Sequence, residues 1–467
     1  MCVIQENYTI KIQKNQAFAK NYEVRILVIL VFEISWQEKR RVFTMKNTKN
    51  LFKILLTISA VFTIVLLAAC DSDNGGSSSN DDGEVTLVMS IWNAGVEFTS
   101  LIEAFEEAHP HINIETIDIV SANYTERIIT MLAGGETLDI IPIIDMPLYV
   151  NLAERGQLKV LTDFVNSLDP EARGGVLDFM RLESGNYYAM PYRWHFWALF
   201  YNKDLFDAAG LPYPESLTWE EYRELAALLT TGEGANKIYG THHHWWRSIT
   251  AGIATAQTGN SQLTTDFSFL IPQYELMLQM QAEGSMMDFG SILAADVGYR
   301  PRFELGNAAM MPMGAWYLGE LAERADFRWG IAPMPQLSTS TEIVTTGAPT
   351  SFGININSNH SEEALLFIEF ATGPIGARII SEIGNVPAML TEEILDIYFS
   401  VDGMPQDELT RNTFSPDRIE LEMDVSAHTG EIDQILAEIH ELIMVGEYTV
   451  EQGIEEMNRR VGAVLSR

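Results

Sequence analysis

The sequence predicts an α/β protein of two domain-sized units. Strand-like and helix-like segments alternate along the chain, the pattern of βαβ units around a parallel sheet. Beyond a polar linker at 71–83 about 380 residues remain, enough to bury two hydrophobic cores. The cysteines are Cys2 and Cys70, so the body beyond the linker has no disulfide and must be held by its own packing.

Glu84–Trp92 is rich in strand formers and follows turn residues, so it reads as the first strand. Phe98–Ala108 places Leu101, Ile102, Ala104 and Phe105 on one helical face and ends at His109-Pro110. Ile112–Ile119 alternates as a second strand, Tyr124–Ala133 reads as a helix stopped by Gly134-Gly135, and Leu138–Asp145 as a third, buried strand. The alternation resumes with a strand at Trp197–Tyr201 and a helix at Trp219–Leu229, opened by Thr218 with Glu221 three residues on. A helix over Phe267–Ala282, strands at Ala308–Met313 and Gly353–Asn357, and a helix over Ser361–Ala371 follow. Glu431–Val445 and Val450–Leu465 close the chain as two amphipathic helices.

The N-terminal region carries a different signal. An apolar run from Ile54 to Leu67 is preceded by Met45, Lys46, Lys49 and Lys53 and ends in Leu67-Ala68-Ala69-Cys70. A basic head, an apolar middle and a small-residue end are the parts of a secretory signal. A cysteine at that junction resembles a bacterial lipoprotein signal, which implies acylation of Cys70 and removal of 45–69. Residues 70–83, rich in Ser, Gly and Asp, are then a flexible leash. A signal begins near its basic head, so 1–44 reads as a start-site artefact upstream of Met45.

The chain has 30 basic and 64 acidic residues, a net charge of −34. Ten of the basic and four of the acidic residues precede residue 71, which leaves 20 against 60 and a body near −40. Nucleic acid and anionic lipid are excluded as partners, because both ask for a basic footprint. No GxSxG elbow, HExxH pair, Walker loop or cysteine nucleophile occurs in the body, so no enzyme and no cofactor are expected. The abundant carboxylates leave a glycosidase pair, and with it an exported carbohydrate-active enzyme, as the alternative.

Several segments together resemble the family 1 extracellular solute-binding proteins of ABC importers, the group that includes maltose-binding protein. They are Phe105–Ile114, Leu132–Ile140, Tyr188–Tyr192, Phe200–Leu211, Leu217–Glu221, Phe303–Met310 with Gly314-Ala315-Trp316, Pro333–Pro335, Glu362–Phe370 and Val386–Ala388. Each is weak alone, but they run in the family's order from residue 84 to about 390. The resemblance implies a two-lobed periplasmic-binding-protein fold, type II-like, each lobe a mainly parallel sheet flanked by helices, with the ligand cleft at the hinge. Lobe 1 is then 84–192 with 336–372, and lobe 2 is 193–335 with 373–467. It further implies a monomer that binds a small-molecule carbohydrate without turnover, closes over it, and hands it to an importer permease.

Sugar binding asks for aromatic plates and planar hydrogen-bond partners. At the matching strand ends the chain offers Trp92-Asn93, Asp145, Arg193 and Trp194, Trp245 and Trp246, and Trp316. For the tryptophans the alternative is a place in the core, and for Asp145 a helix cap. Arg193, Arg247, Arg300 and Arg302 stand out in so acidic a chain and mark either ion pairs or an anionic ligand. His242-His243-His244 does not read as a metal site, since adjacent side chains seldom converge on one ion.

Overall fold

The computed structural model describes residues 83–92, 95–169 and 175–467. The segments read as start-site artefact (1–44), signal peptide (45–69) and lipidated leash up to residue 82, with Cys70, lie outside the described residues, as does Asn93.

Among the described residues nine strands form one mixed sheet: β1 (Val85–Trp92), β2 (Ile112–Ile119), β3 (Ile140–Ile143), β4 (Ala189–Asn202), β5 (Tyr239–Thr241), β6 (Ala308–Gly314), β7 (Trp329–Ala332), β8 (Val344–Ile354) and β9 (Arg418–Leu421). The order is β2-β1-β3-β8-β4-β6-β5, with β7 paired to β4 and β9 to β8. Pairing is parallel where helices cross over, in β1–β2, β1–β3 and β5–β6. It is antiparallel between β3 and β8, β8 and β4, β4 and β6, and β4 and β7, while β9 joins β8 in parallel.

The helical expectations follow their sequence signals. Thr218 and Glu221 form a reciprocal capping box on Trp219–Leu229, as their spacing predicts. Val96–Ala108 buries Phe98, Leu101, Ile102 and Phe105. The closing pair is Thr429–Met444 and Val450–Leu465.

Two hydrophobic cores form. The first gathers Leu87, Met89, Phe98, Phe105, Tyr124, Tyr192, Phe352 and Phe367. Phe105 is fully buried and meets Phe367 edge-on at 5.2 Å, burial worth about 1.5–3 kcal/mol for a side chain of that size. The second gathers Trp197, Phe200, Tyr222, Tyr274, Tyr317, Ile439 and Met457. Along β4 the change of core falls between Tyr192 and Trp194. Helix Pro374–Glu382, which the sequence reading assigns to the second lobe, sends Ile380 into the first core.

Among the described residues, three hydrogen-bonded chain segments pass between the cores. β4 and β8 are antiparallel neighbours from Ala189↔Gly353 to Phe196↔Gly347, with the register shifting between Pro191 and Arg193. The third is 385–388: Trp194 N donates to Val386 O at 3.0 Å and Ala388 N to Tyr192 O at 3.0 Å.

β5, β7 and β9 have no counterpart among the expected strands, and β4 and β8 differ from their expected bounds. β4 is longer than Trp197–Tyr201 because it serves both cores in turn. β8 occupies Val344–Ile354 instead of Gly353–Asn357. Its run Thr345-Thr346-Gly347-Ala348-Pro349-Thr350 lacks apolar alternation and contains glycine and proline, which read as turn residues. The glycine is there for space. A Cβ on Gly347 would lie 2.3 Å from His195 O and 2.7 Å from the Trp194 ring.

Candidate functional site

At the end of β6 the chain enters a single 3₁₀ turn, Ala315–Tyr317, which carries the half-buried Trp316. His195 meets the Trp316 ring edge-on at 4.7 Å and Trp197 does so at 5.4 Å. Both come from β4, where period-two alternation puts them on one face and Trp194 and Phe196 on the other. Trp246 follows β5 and keeps 37% of its surface exposed, unusual for tryptophan here. Its ring centre is 6.0 Å from that of Trp316, with the planes at 59°. Behind it His244 stacks at 4.0 Å and 14°, and buried Tyr299 lies 6.0 Å away. Two indoles thus form an open corner with aromatic backing.

Both imidazoles at this corner are neutral. Burial and the Arg193 charge bring His195 down to about 3, and burial, with His242 and Arg300, does the same to His244. His243 Nε2 is held by the Tyr222 hydroxyl at 2.8 Å, so the three adjacent histidines do different work. Among the described residues no group of three His, Cys, Asp or Glu side chains is placed to hold a metal ion.

One carboxylate borders the corner, and a second senses its charge. Glu422, just past β9, accepts from Trp197 Nε1 at 3.1 Å and from the Ser248 hydroxyl. Asp145 caps helix Met146–Glu154 by accepting from Leu148 N at 2.8 Å. Burial pushes the Asp145 carboxyl up to about 6; the Leu148 N–H opposes this, and the charges of Asp433 and Glu422 add to it. Asp145 titrates near 3.8 when unperturbed, so between about pH 4 and 6 the folded chain keeps a proton that the unfolded chain releases. Stability from this group therefore falls as pH rises through that window. Asp145→Asn keeps an oxygen for Leu148 N and removes the titration, so its melting temperature should decline less between pH 4 and 6. Parallel curves for the two proteins would contradict this.

The remaining sequence-predicted residues lie elsewhere. Trp92 is a core residue, edge-on to Phe98 at 4.7 Å and to Tyr124 at 5.0 Å. Trp194 is buried and stacks on Phe179 at 5.7 Å. Trp245 packs half-buried against the second core. The arginines are committed to carboxylates: Arg193 to Glu97 at 2.6 Å, Arg247 to Asp433 at 2.6 Å, and Arg300 to Glu320 at 2.6 Å. Arg302 contacts Met287 Sδ at 3.7 Å and lies over the Tyr239 ring. The sequence reading did not single out His195, Trp197, Tyr299 or Glu422. Period-two alternation within 193–197 was the available signal for the first two. Glu422, 225 residues from Trp197, offered none.

Comparison with known proteins agrees with this architecture. Residues 92–378 match the family model described as bacterial extracellular solute-binding protein. A binding protein of Brucella abortus (strain 2308) is 24% identical over 338 residues, covering 69% of this chain and 80% of that protein. The multiple sugar-binding protein of Streptococcus mutans serotype c is 21% identical over 363 residues, covering 73% and 79%. The crystal structure of a sugar transporter from Rhizobium etli, in an open conformation, superposes with a TM-score of 0.71 at 33% identity, covering 81% of this chain and 99% of that one. The family match extends through both cores and the crossing strands β4 and β8 between them, and it makes the chain a member of the bacterial extracellular solute-binding proteins, which bind solutes for ABC transporters and are not enzymes.

Proposed function

We propose that this protein is an extracytoplasmic receptor that binds a neutral carbohydrate at the Trp246–Trp316 corner and delivers it to the permease of an ABC importer. The observation that carries the reading is the corner itself: an exposed indole and a half-buried one, angled to each other, with the Glu422 carboxylate on the neighbouring Trp197. The apolar C–H faces of a sugar suit the indoles, and its hydroxyls can donate to Glu422. Carbohydrate names among the relatives, from Streptococcus mutans and Rhizobium etli, support the same ligand class. Neutrality is favoured over an anionic saccharide because Arg193, Arg247 and Arg300 already hold carboxylates.

In this reading the lobes are 84–192 with 336–372 and 193–335 with 373–467, and ligand shifts them from open to closed. Cys70 is acylated, and the monomeric body stays on its leash near the permease. More than one acyl chain gives stable attachment. Titration with maltose, maltotriose, mannobiose, mannitol, glucuronate and glycerol 3-phosphate, followed by melting temperature, tests the ligand class. A neutral member is expected to raise the melting point by mass action. A shift with glucuronate or glycerol 3-phosphate alone would overturn neutrality, and no shift with any member would count against the carbohydrate reading. For the anchor, Cys70→Ala is expected to move the protein from the membrane fraction to the soluble one. Equal membrane recovery of variant and parent would rule out acylation as the tether.

A further inference from the structure

Gly314 ends β6, and Trp316 sits two residues on. The backbone at Gly314 is ordinary extended chain, φ −76° and ψ 150°, which any residue adopts. The indole is what requires glycine here. A Cβ on Gly314 would fall 1.8 Å from Trp316 Cζ3, 2.1 Å from Cη2 and 2.2 Å from Cε3, overlapping the six-membered ring. Non-bonded carbons settle at about 3.5–4.0 Å, so ring and methyl group exclude each other. The Trp316 indole is therefore folded back over the end of its own strand, in the space a side chain at 314 would fill.

The backbone has little freedom to yield. Gly314 is paired with Trp197 in the β4–β6 ladder, and Trp197 is itself held through its ring nitrogen by Glu422. With His195 and Trp197 edge-on to the ring, a group at 314 displaces the indole and changes its angle to Trp246. We infer that Gly314 is a positioning residue for ligand binding: the missing side chain sets the depth and tilt of the Trp316 plate. This rests on the reading of Trp316 as a ligand platform.

Gly314→Ala, Trp316→Ala and the double variant test it. Two readouts apply: the near-UV circular dichroism of the indole cluster, which needs no ligand, and calorimetric affinity for the tightest neutral sugar among maltose, maltotriose, mannobiose and mannitol. Gly314→Ala is expected to keep the far-UV spectrum, alter the near-UV bands, and weaken affinity about tenfold or more. In the Trp316→Ala background the same change should cost nothing further, because the group it moves is gone. Wild-type near-UV bands and affinity in Gly314→Ala, or additive losses in the double variant, would overturn the inference. If Trp316→Ala itself binds normally, the platform reading fails, while the near-UV comparison still decides whether Gly314 sets the ring. If Gly314→Ala does not fold, the double variant should, and its failure to fold would equally overturn the inference.

Discussion

Glu97→Ala is expected to lower the free energy of unfolding by about 3–5 kcal/mol, the range for removing one partner of a buried ion pair. Glu97 lies in the first turn of Val96–Ala108 with its side chain 6% exposed, and its partner Arg193 is 13% exposed. The Arg193 guanidinium reaches Glu97 Oε2 at 2.6 Å and Asn385 Oδ1 at 3.3 Å, while the Tyr192 hydroxyl donates to Glu97 Oε1 at 3.3 Å. The cluster thus joins a helix of the first core to two of the three crossing segments. Alanine leaves the cation where water cannot compensate it, and Arg193 Nε already lacks a partner. Replacing both residues, Glu97→Leu with Arg193→Met, should recover much of the loss, since no orphaned charge remains. Urea unfolding of the three proteins measures this, and a Glu97→Ala loss under about 1 kcal/mol would show the pair to be dispensable.

Trp316→Ala is expected to weaken carbohydrate binding by about thirtyfold, roughly 2 kcal/mol, as befits a central aromatic anchor. The fold should survive, because the ring is only half-buried and its neighbours His195 and Trp197 meet it by their edges. Calorimetry suits the measurement better than fluorescence, since the substitution removes an emitter. An affinity within twofold of the parent would move the ligand away from this corner.

Segments whose local signals agreed with their tertiary roles were legible from the residues alone. β1 and β2, the Thr218–Glu221 capping box and the two closing helices are of this kind. β8 was not, because it is a strand by virtue of its neighbours: β3 and β4 lie on either side of a run whose own composition suggests turns. The site divided in the same way. Trp246 and Trp316 stand at strand ends where the family pattern pointed. Which tryptophans face outward was settled by packing: Trp92 found Phe98 and Tyr124, and Trp194 found Phe179. The arginines read as possible anion receptors because their partners are remote in sequence, Glu97 lying 96 residues from Arg193 and Asp433 lying 186 from Arg247.

The register shift at Pro191/Arg193 has a mechanical meaning. There the β4 backbone stops following β8 alone and Tyr192 O is taken by Ala388 N, so three strips of chain are laminated between the two cores. A laminate of hydrogen-bonded strips resists kinking at any one residue and yields by twisting along its length. Such a laminate leads us to expect a leaf spring between the two bodies and not a door pin. Loosening a single strip with an inserted glycine should change the ease of that twist only modestly, because the other two still carry the load.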